Sequence, residues 1–370
     1  MSEMFHIKSI EQLFAVLAQL VNLRVSDIFI TADRPLEIRK VGEVLSTTHI
    51  APTEELIIEF LNATGDIKIE GLLSDYSQNL AGQLDGAISI PTDKPGVVQR
   101  FRYNLFRILN PDTMRQTIKV ALRPLSDRIP TPDELGISDR LLQNLDAMRQ
   151  GLVLVCGKTG QGKSTSLASI LQHRASKFKE HIVTLEQPIE YIIRSHISSI
   201  SQREVGISTE TFASGLRAAL RQAPDTILVG EIRDRETAEI ALSAAESGHI
   251  VFGTLHTSNA AQSIERFINI FPTITQPAVW NVLSTALKAV ICQILVKDTE
   301  GHRVAVREIL MTTSSVAAYI KQKDLQGVVR AMESGFNEYG MVNWTRSAEQ
   351  LSKLGLITDE TKREIIALGE

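Results

Sequence analysis

The chain has 370 residues, 43% of them hydrophobic and 22% charged, which suits two domains, or one large domain with an appendage, and excludes global disorder. A net charge of −4 gives no electrostatic footprint for bulk nucleic-acid binding. Two cysteines, Cys156 and Cys292, make no disulfide framework, and no signal-peptide pattern opens the chain, so the expected compartment is the cytoplasm.

In chain order, "SIEQLFAVLAQLVNL" carries apolar residues at helical spacing, with Ser9 as cap and Glu11 in the first turn. Its apolar part is far too short to span a bilayer. "SDIFIT" alternates as a strand, and "PLEIRKVGEVL" continues in strand character. "GVVQRFRYNLFRIL" and "TMRQTIKVALRPL" predict a long antiparallel pair turned by "NPDT". Residues 1–123 therefore read as a small α+β domain. The proline-bearing stretch that follows in "RPLSDRIPTPDELGI" reads as a linker over 124–134. From 135 to 370 the pattern changes. "LVLVCG", "HIVTLE", "TILVGE" and "HIVFGTL" alternate with helical stretches, which predicts a parallel sheet with helices on both faces. The last 75 or so residues read as mostly helical.

"GLVLVCGKTGQGKSTSLASIL" fits G-x-x-x-x-G-K-[ST] after a predicted strand and at the start of a predicted helix. The nine residues Gly157, Lys158, Thr159, Gly160, Gln161, Gly162, Lys163, Ser164 and Thr165 form the candidate phosphate loop. Glycines let backbone N–H groups curl round phosphate, Lys163 is placed for the β- and γ-phosphates, and Ser164 for Mg²⁺. ATP and Mg²⁺ are the expected substrate and cofactor. "DTILVGEIRD" supplies an acid at a strand's carboxyl end, Glu231, as the metal-side group acting through water. Water must also be oriented or deprotonated, and "TLEQPIEYI" offers Glu186 and Glu190; spacing alone leaves both open.

"SGHIVFGTLHT" places His249 and His256 seven residues apart, one at each end of a predicted strand. An odd spacing points the two side chains to opposite faces, which argues against a shared metal. His256, at the carboxyl end, is placed to hydrogen-bond a γ-phosphate or its water; His249 lies at the far end and has packing or capping as its competing role.

These blocks resemble the type II/type IV secretion ATPase family, in its PilT-like retraction branch. The resemblance runs from "SDIFITADRPLEIRKVGEV" through "RFRYN", the phosphate loop, "TLEQPIEYI" and "SQREVG". It continues through the long block from Leu216 to Ala261 and "IERFINIFP". It implies a PAS-like N-terminal α+β domain joined by the linker to a RecA-like P-loop ATPase domain with a helical C-terminal part. It implies Glu190 as the catalytic acid, Glu231 as the Walker B acid, and His249 and His256 as the paired histidines. Gln187 stands where the family usually has Asp. The family's nucleotide-facing arginines map onto Arg102 and Arg123, with a segment between them, holding Arg115, that is longer than in typical members. The absence of a four-cysteine zinc loop and of a long additional N-terminal domain favours retraction over extension. The neighbouring alternative is the DotB/TraJ-type ATPase of type IVB secretion and conjugation.

The resemblance implies a homo-hexameric motor, cytoplasmic and peripheral at the inner membrane. Its partner would be a membrane platform protein or a secretion-complex ATPase, with no direct nucleic-acid contact. Two other classes compete. A RecA-like nucleic-acid translocase would want a basic groove with stacking aromatics, and aromatics are only 5% of the chain. A nucleotide-regulated adaptor with little turnover rests on Gln187 alone.

Overall fold

The computed structural model describes residues 4–23, 25–40, 43–64, 83–92, 98–110, 114–125 and 128–368. Two compact units divide the chain between Arg128 and Ile129, and the short segment Pro188–Tyr191 groups with the first.

The N-terminal unit is a seven-stranded sheet in the order β1-β4-β3-β2-β7-β6-β5. Its strands are β1 (Phe5–His6), β2 (Asp27–Thr31), β3 (Pro35–Lys40), β4 (Glu43–Ile50), β5 (Gln83–Pro91), β6 (Val98–Asn110) and β7 (Arg115–Pro124). Helix Ile10–Asn22 forms where expected, and the Ser9 hydroxyl caps it by accepting from the Gln12 amide at 3.3 Å. Its buried side chains Leu13, Leu17 and Leu20 join Ile57, Phe60 and Leu61 of helix Glu54–Thr64. They pack with Ile28, Ile30, Phe101, Tyr103, Leu105, Val120 and Leu122 of the sheet in one core. The antiparallel β6–β7 pair is present, in register from Phe101↔Pro124 to Asn110↔Arg115; of the "NPDT" turn, Pro111–Thr113 lie outside the described residues.

The second unit is a seven-stranded sheet in the order β10-β9-β11-β12-β8-β13-β14. Its strands are β8 (Gly151–Cys156), β9 (His181–Glu186), β10 (Ser199–Glu204), β11 (Thr226–Val229), β12 (Ile250–Leu255), β13 (Leu287–Lys297) and β14 (Arg303–Met311). Every pair from β10 to β13 is parallel, and β14 closes the edge antiparallel to β13. β8 and β12 are buried at all six positions each, the pattern of central strands covered on both faces. The helical tail is shorter than expected. β13 and β14 form a hairpin reaching Met311, and the run of helices begins at Ser314. The stretch expected to be a linker over 124–134 is partly folded: Ile129 packs on the core of the second unit, and the Pro132 carbonyl accepts from the Ile137 amide at 2.9 Å.

Candidate functional site

Six parallel strands bring their carboxyl ends to one edge of the second sheet, where open α/β folds bind ligands. β8 leads there into Gly157–Gly162, and helix Lys163–Lys177 starts directly after. Three glycines of the loop have left-handed backbones, Gly157 at φ 147°, Gly160 at 79° and Gly162 at 76°. They serve different ends. A Cβ on Gly157 would stand 2.4 Å from the Gln293 carbonyl oxygen, and one on Gly162 would stand 2.9 Å from Gln293 Nε2. Those two glycines let β13 pack under the loop. Gly160 has no atom within 4 Å of where its Cβ would be, so its side of the loop is open. No side chain caps the helix at Gly162, which leaves its first N–H groups to an anion. Lys163 Nζ donates to the Gly157 carbonyl at 2.5 Å and the Lys158 carbonyl at 3.1 Å, neutral acceptors that a phosphate outcompetes. Ser164 is exposed one residue further on.

The next two strands along supply the acid and the histidine. β11 and β12 are parallel neighbours, so the residues just past their ends meet. The Ile232 amide donates to the Thr254 carbonyl at 3.1 Å, and the Thr254 hydroxyl donates to the Gly230 carbonyl. With the two loops tied, His256 Nε2 lies 3.1 Å from Glu231 Oε1. Arg233 Nε pairs with the same oxygen, and this hydrogen bond raises the Arg233 guanidinium above its ordinary value. Glu231 is mostly enclosed, its side chain 17% exposed against 40% for His256.

The other candidates divide. Glu186 ends β9, and its Oε1 accepts from the Thr184 hydroxyl at 2.6 Å and from Gln202 Nε2 at 3.0 Å, so it is held within its own sheet. Glu190 lies in the segment that groups with the N-terminal unit. His249 is not brought to the loop edge. It precedes β12 at the amino end, with Nδ1 3.0 Å from the Ala244 carbonyl at the end of helix Arg235–Glu246. A six-residue strand of about 20 Å separates it from His256, so the two cannot ligate one ion within a chain. In the N-terminal unit, Arg102 and Arg123 are register partners across β6 and β7, on the sheet face away from that unit's core. Arg123 also binds Asp27 Oδ1 through Nε at 2.9 Å and Nη2 at 2.7 Å. Arg115 starts β7 at its opposite end.

The donors fit a magnesium nucleotide. The open glycine, the uncapped helix start and the lysine suit phosphate, while the Ser164 hydroxyl and Glu231 carboxylate are hard oxygen donors of the kind Mg²⁺ takes. Three neighbours escaped sequence reasoning: Arg233, Gln293 and Arg307. The signal for the last two is a polar interruption of an apolar strand, Gln293 alone in "VICQILV" and Arg307 beside Glu308 in "VAVREIL".

Comparison with known proteins shows the family to which the chain belongs. The model of the family described as type II/IV secretion system protein matches residues 98–365. The type IV pilus retraction ATPase PilT of Pseudomonas aeruginosa is 36% identical over 345 residues, covering 93% of this chain and 95% of that one. The uncharacterized protein YggR of Escherichia coli K12 is 38% identical over 333 residues, 90% of this chain and 95% of its own. Among solved structures, the pilus retraction motor PilT with bound ADP superposes with a TM-score of 0.82 at 36% identity, covering 97% of both chains. The Legionella pneumophila ATPase DotB gives 0.79 at 27% identity, covering 97% of this chain and 96% of that one.

Proposed function

The chain belongs to the type II/IV secretion system protein family and is an ATPase, and from that membership we propose that it powers retraction of a type IV pilus as a ring of six copies. The observation that carries the reading is the shared edge of the second sheet, where the Gly157–Ser164 loop stands in line with Glu231 and its partner His256.

In this reading the loop amides and Lys163 bind and orient the phosphates of ATP. Ser164 and, through water, Glu231 would hold Mg²⁺, which would supply neutralisation of phosphate charge. Glu190 takes the proton of the attacking water as it adds to the γ-phosphorus and ADP leaves. His256, beside Glu231, turns its ring N–H from the carboxylate to the γ-phosphate or its water. Arg102 and Arg123 stabilise charge that builds on the transferred group. His249 is left to cap a helix. No helix among the described residues is long and apolar enough to cross a membrane. In this reading, which rests on the family, the motor works from the cytoplasm on an inner-membrane platform protein.

The test is Lys163→Ala, which removes the cation from the phosphates and should cut ATP turnover by about a hundredfold or more. Near-normal turnover would overturn the assignment. The likeness to DotB supports a second reading, the drive of a type IVB secretion or conjugation machine. Deleting the gene separates the two. Accumulated surface pili with lost twitching support retraction, and normal pili with lost secretion or transfer support the alternative.

A further inference from the structure

Arg307 lies on β14, opposite Gln293 of β13 in the register. It is 6% exposed, and among the described residues no carboxylate pairs with it. All its partners are neutral. Nε donates to Gln293 Oε1 at 2.8 Å, and Nη2 to the Ser166 hydroxyl at 3.2 Å. Nη1 donates to the carbonyls of Leu135 at 2.8 Å and Gly136 at 3.1 Å. Burial pulls the guanidinium down to about 10, so it still carries its charge at neutral pH.

The partners of Arg307 belong to two functional pieces of the second unit. On one side, Ser166 sits in the first turn after the phosphate loop, and its hydroxyl donates to Gln293 Oε1 at 2.7 Å. Gln293 Nε2 in turn donates to the Gln161 carbonyl at 2.7 Å, and the Leu295 amide donates to Gln161 Oε1 at 2.5 Å. Gln293 is also the residue that Cβ atoms on Gly157 and Gly162 would strike, so it underlies the loop at both ends. On the other side, Leu135 and Gly136 close the turn with which the second unit begins, a turn held by the Leu135 amide on the Thr131 carbonyl at 3.2 Å and the Gly136 amide on the Asp133 carbonyl at 2.9 Å. One planar guanidinium thus grips both pieces, which a point-like ammonium cannot do.

We infer that Arg307 is a positioning residue that couples the phosphate loop to the Thr131–Ile137 turn, so that phosphate bound at the loop tightens the turn at the entrance to the ATPase unit. The reason is electrostatic and mechanical together. An unpaired buried cation just behind the loop favours a polyphosphate in front of it, because charges interact strongly where water is excluded. Its hydrogen bonds are directional, so any shift of Gln161 or Ser166 that phosphate induces passes through Gln293 and Arg307 to the two carbonyls. The inference rests on the reading of Gly157–Ser164 as the nucleotide site.

The experiment is amide hydrogen exchange on the full chain with and without Mg-ADP, with the affinity for a fluorescent ADP measured in parallel. In the wild type, ADP should slow exchange both in the loop and at Leu135–Ile137. In Arg307→Met, ADP affinity should fall by about tenfold and the loop should still be protected at saturation, but the turn should not respond. Arg307→Lys keeps the charge and demands less of folding; it too should lose the response of the turn while retaining more of the affinity. A wild type that binds ADP and protects only the loop overturns the coupling, as does either variant that protects both. A wild type that binds no nucleotide takes down the proposed function and this inference with it.

Discussion

At the scale of single residues, the paired atoms Glu231 Oε1 and His256 Nε2, 3.1 Å apart, decide what the histidine does. A group held on the acid at the strand ends that carry the phosphate loop is proposed to serve the transition state more than the ground state. His256→Ala should therefore lower kcat by about a hundredfold while changing the KM for ATP little. His256→Gln, which can still donate, should recover part of the loss. Steady-state kinetics decide it: a raised KM with unchanged kcat would make His256 a binding residue only. Residues of this kind were legible in the sequence because each ends a strand with a strong apolar pattern. Gln293 and Arg307 were not legible. A polar residue inside an apolar run says that something buried satisfies it, and only the folded chain shows what.

At the scale of elements, helix Ala260–Asn269 has an acid at its start that belongs to another strand. Glu308 of β14 is 3% exposed, and its Oε1 accepts from the Ala260 amide at 2.7 Å. Burial outweighs that hydrogen bond and another from the Trp344 backbone, and raises the carboxyl from its ordinary 4.5 to about 7. Glu308, Glu265 and Glu333 line one cavity with no Lys or Arg among its described lining residues, and Cys292 faces Glu308 across the β13–β14 register. Between pH 4.5 and 7 the folded chain holds a proton here that the unfolded chain has released. Stability from this group is therefore fully present at the acid end and is lost as pH rises through about 7. Against Glu308→Gln, a neutral stand-in, the wild type should lose up to about 3 kcal/mol from pH 5 to pH 8, read by denaturant unfolding. A difference that stays constant with pH would refute the assignment. The same region shows why elements were missed. Helix Gln276–Ala286 passes straight into β13 at Leu287, with no glycine or proline to mark the change. The mainly apolar run there reads equally as helix or strand.

At the scale of the whole molecule, we propose that Arg102 and Arg123 serve the ATP of their own chain rather than that of a neighbouring copy. Mixing Lys163→Ala chains with Arg123→Ala chains tests this once native mass spectrometry confirms mixed rings. Activity should stay at background, because no chain then has a complete set; recovery to an appreciable fraction of wild type would show that neighbours supply the arginines. The division between what was readable and what was not follows from the range of the forces involved. The sequence by itself determined the phosphate loop, the alternation that makes a parallel sheet, and the strand ends where Glu231 and His256 stand. These depend on local spacing and on burial periodicity, which each segment carries within it. Tertiary structure alone decided that His249 bonds the Ala244 carbonyl, that Glu186 is bound within the sheet, and that Ile129 of the expected linker packs on the second unit's core. It alone set Arg307 behind the loop, because strand order and cross-strand register place residues more than 100 positions apart in contact, and no local pattern encodes that order.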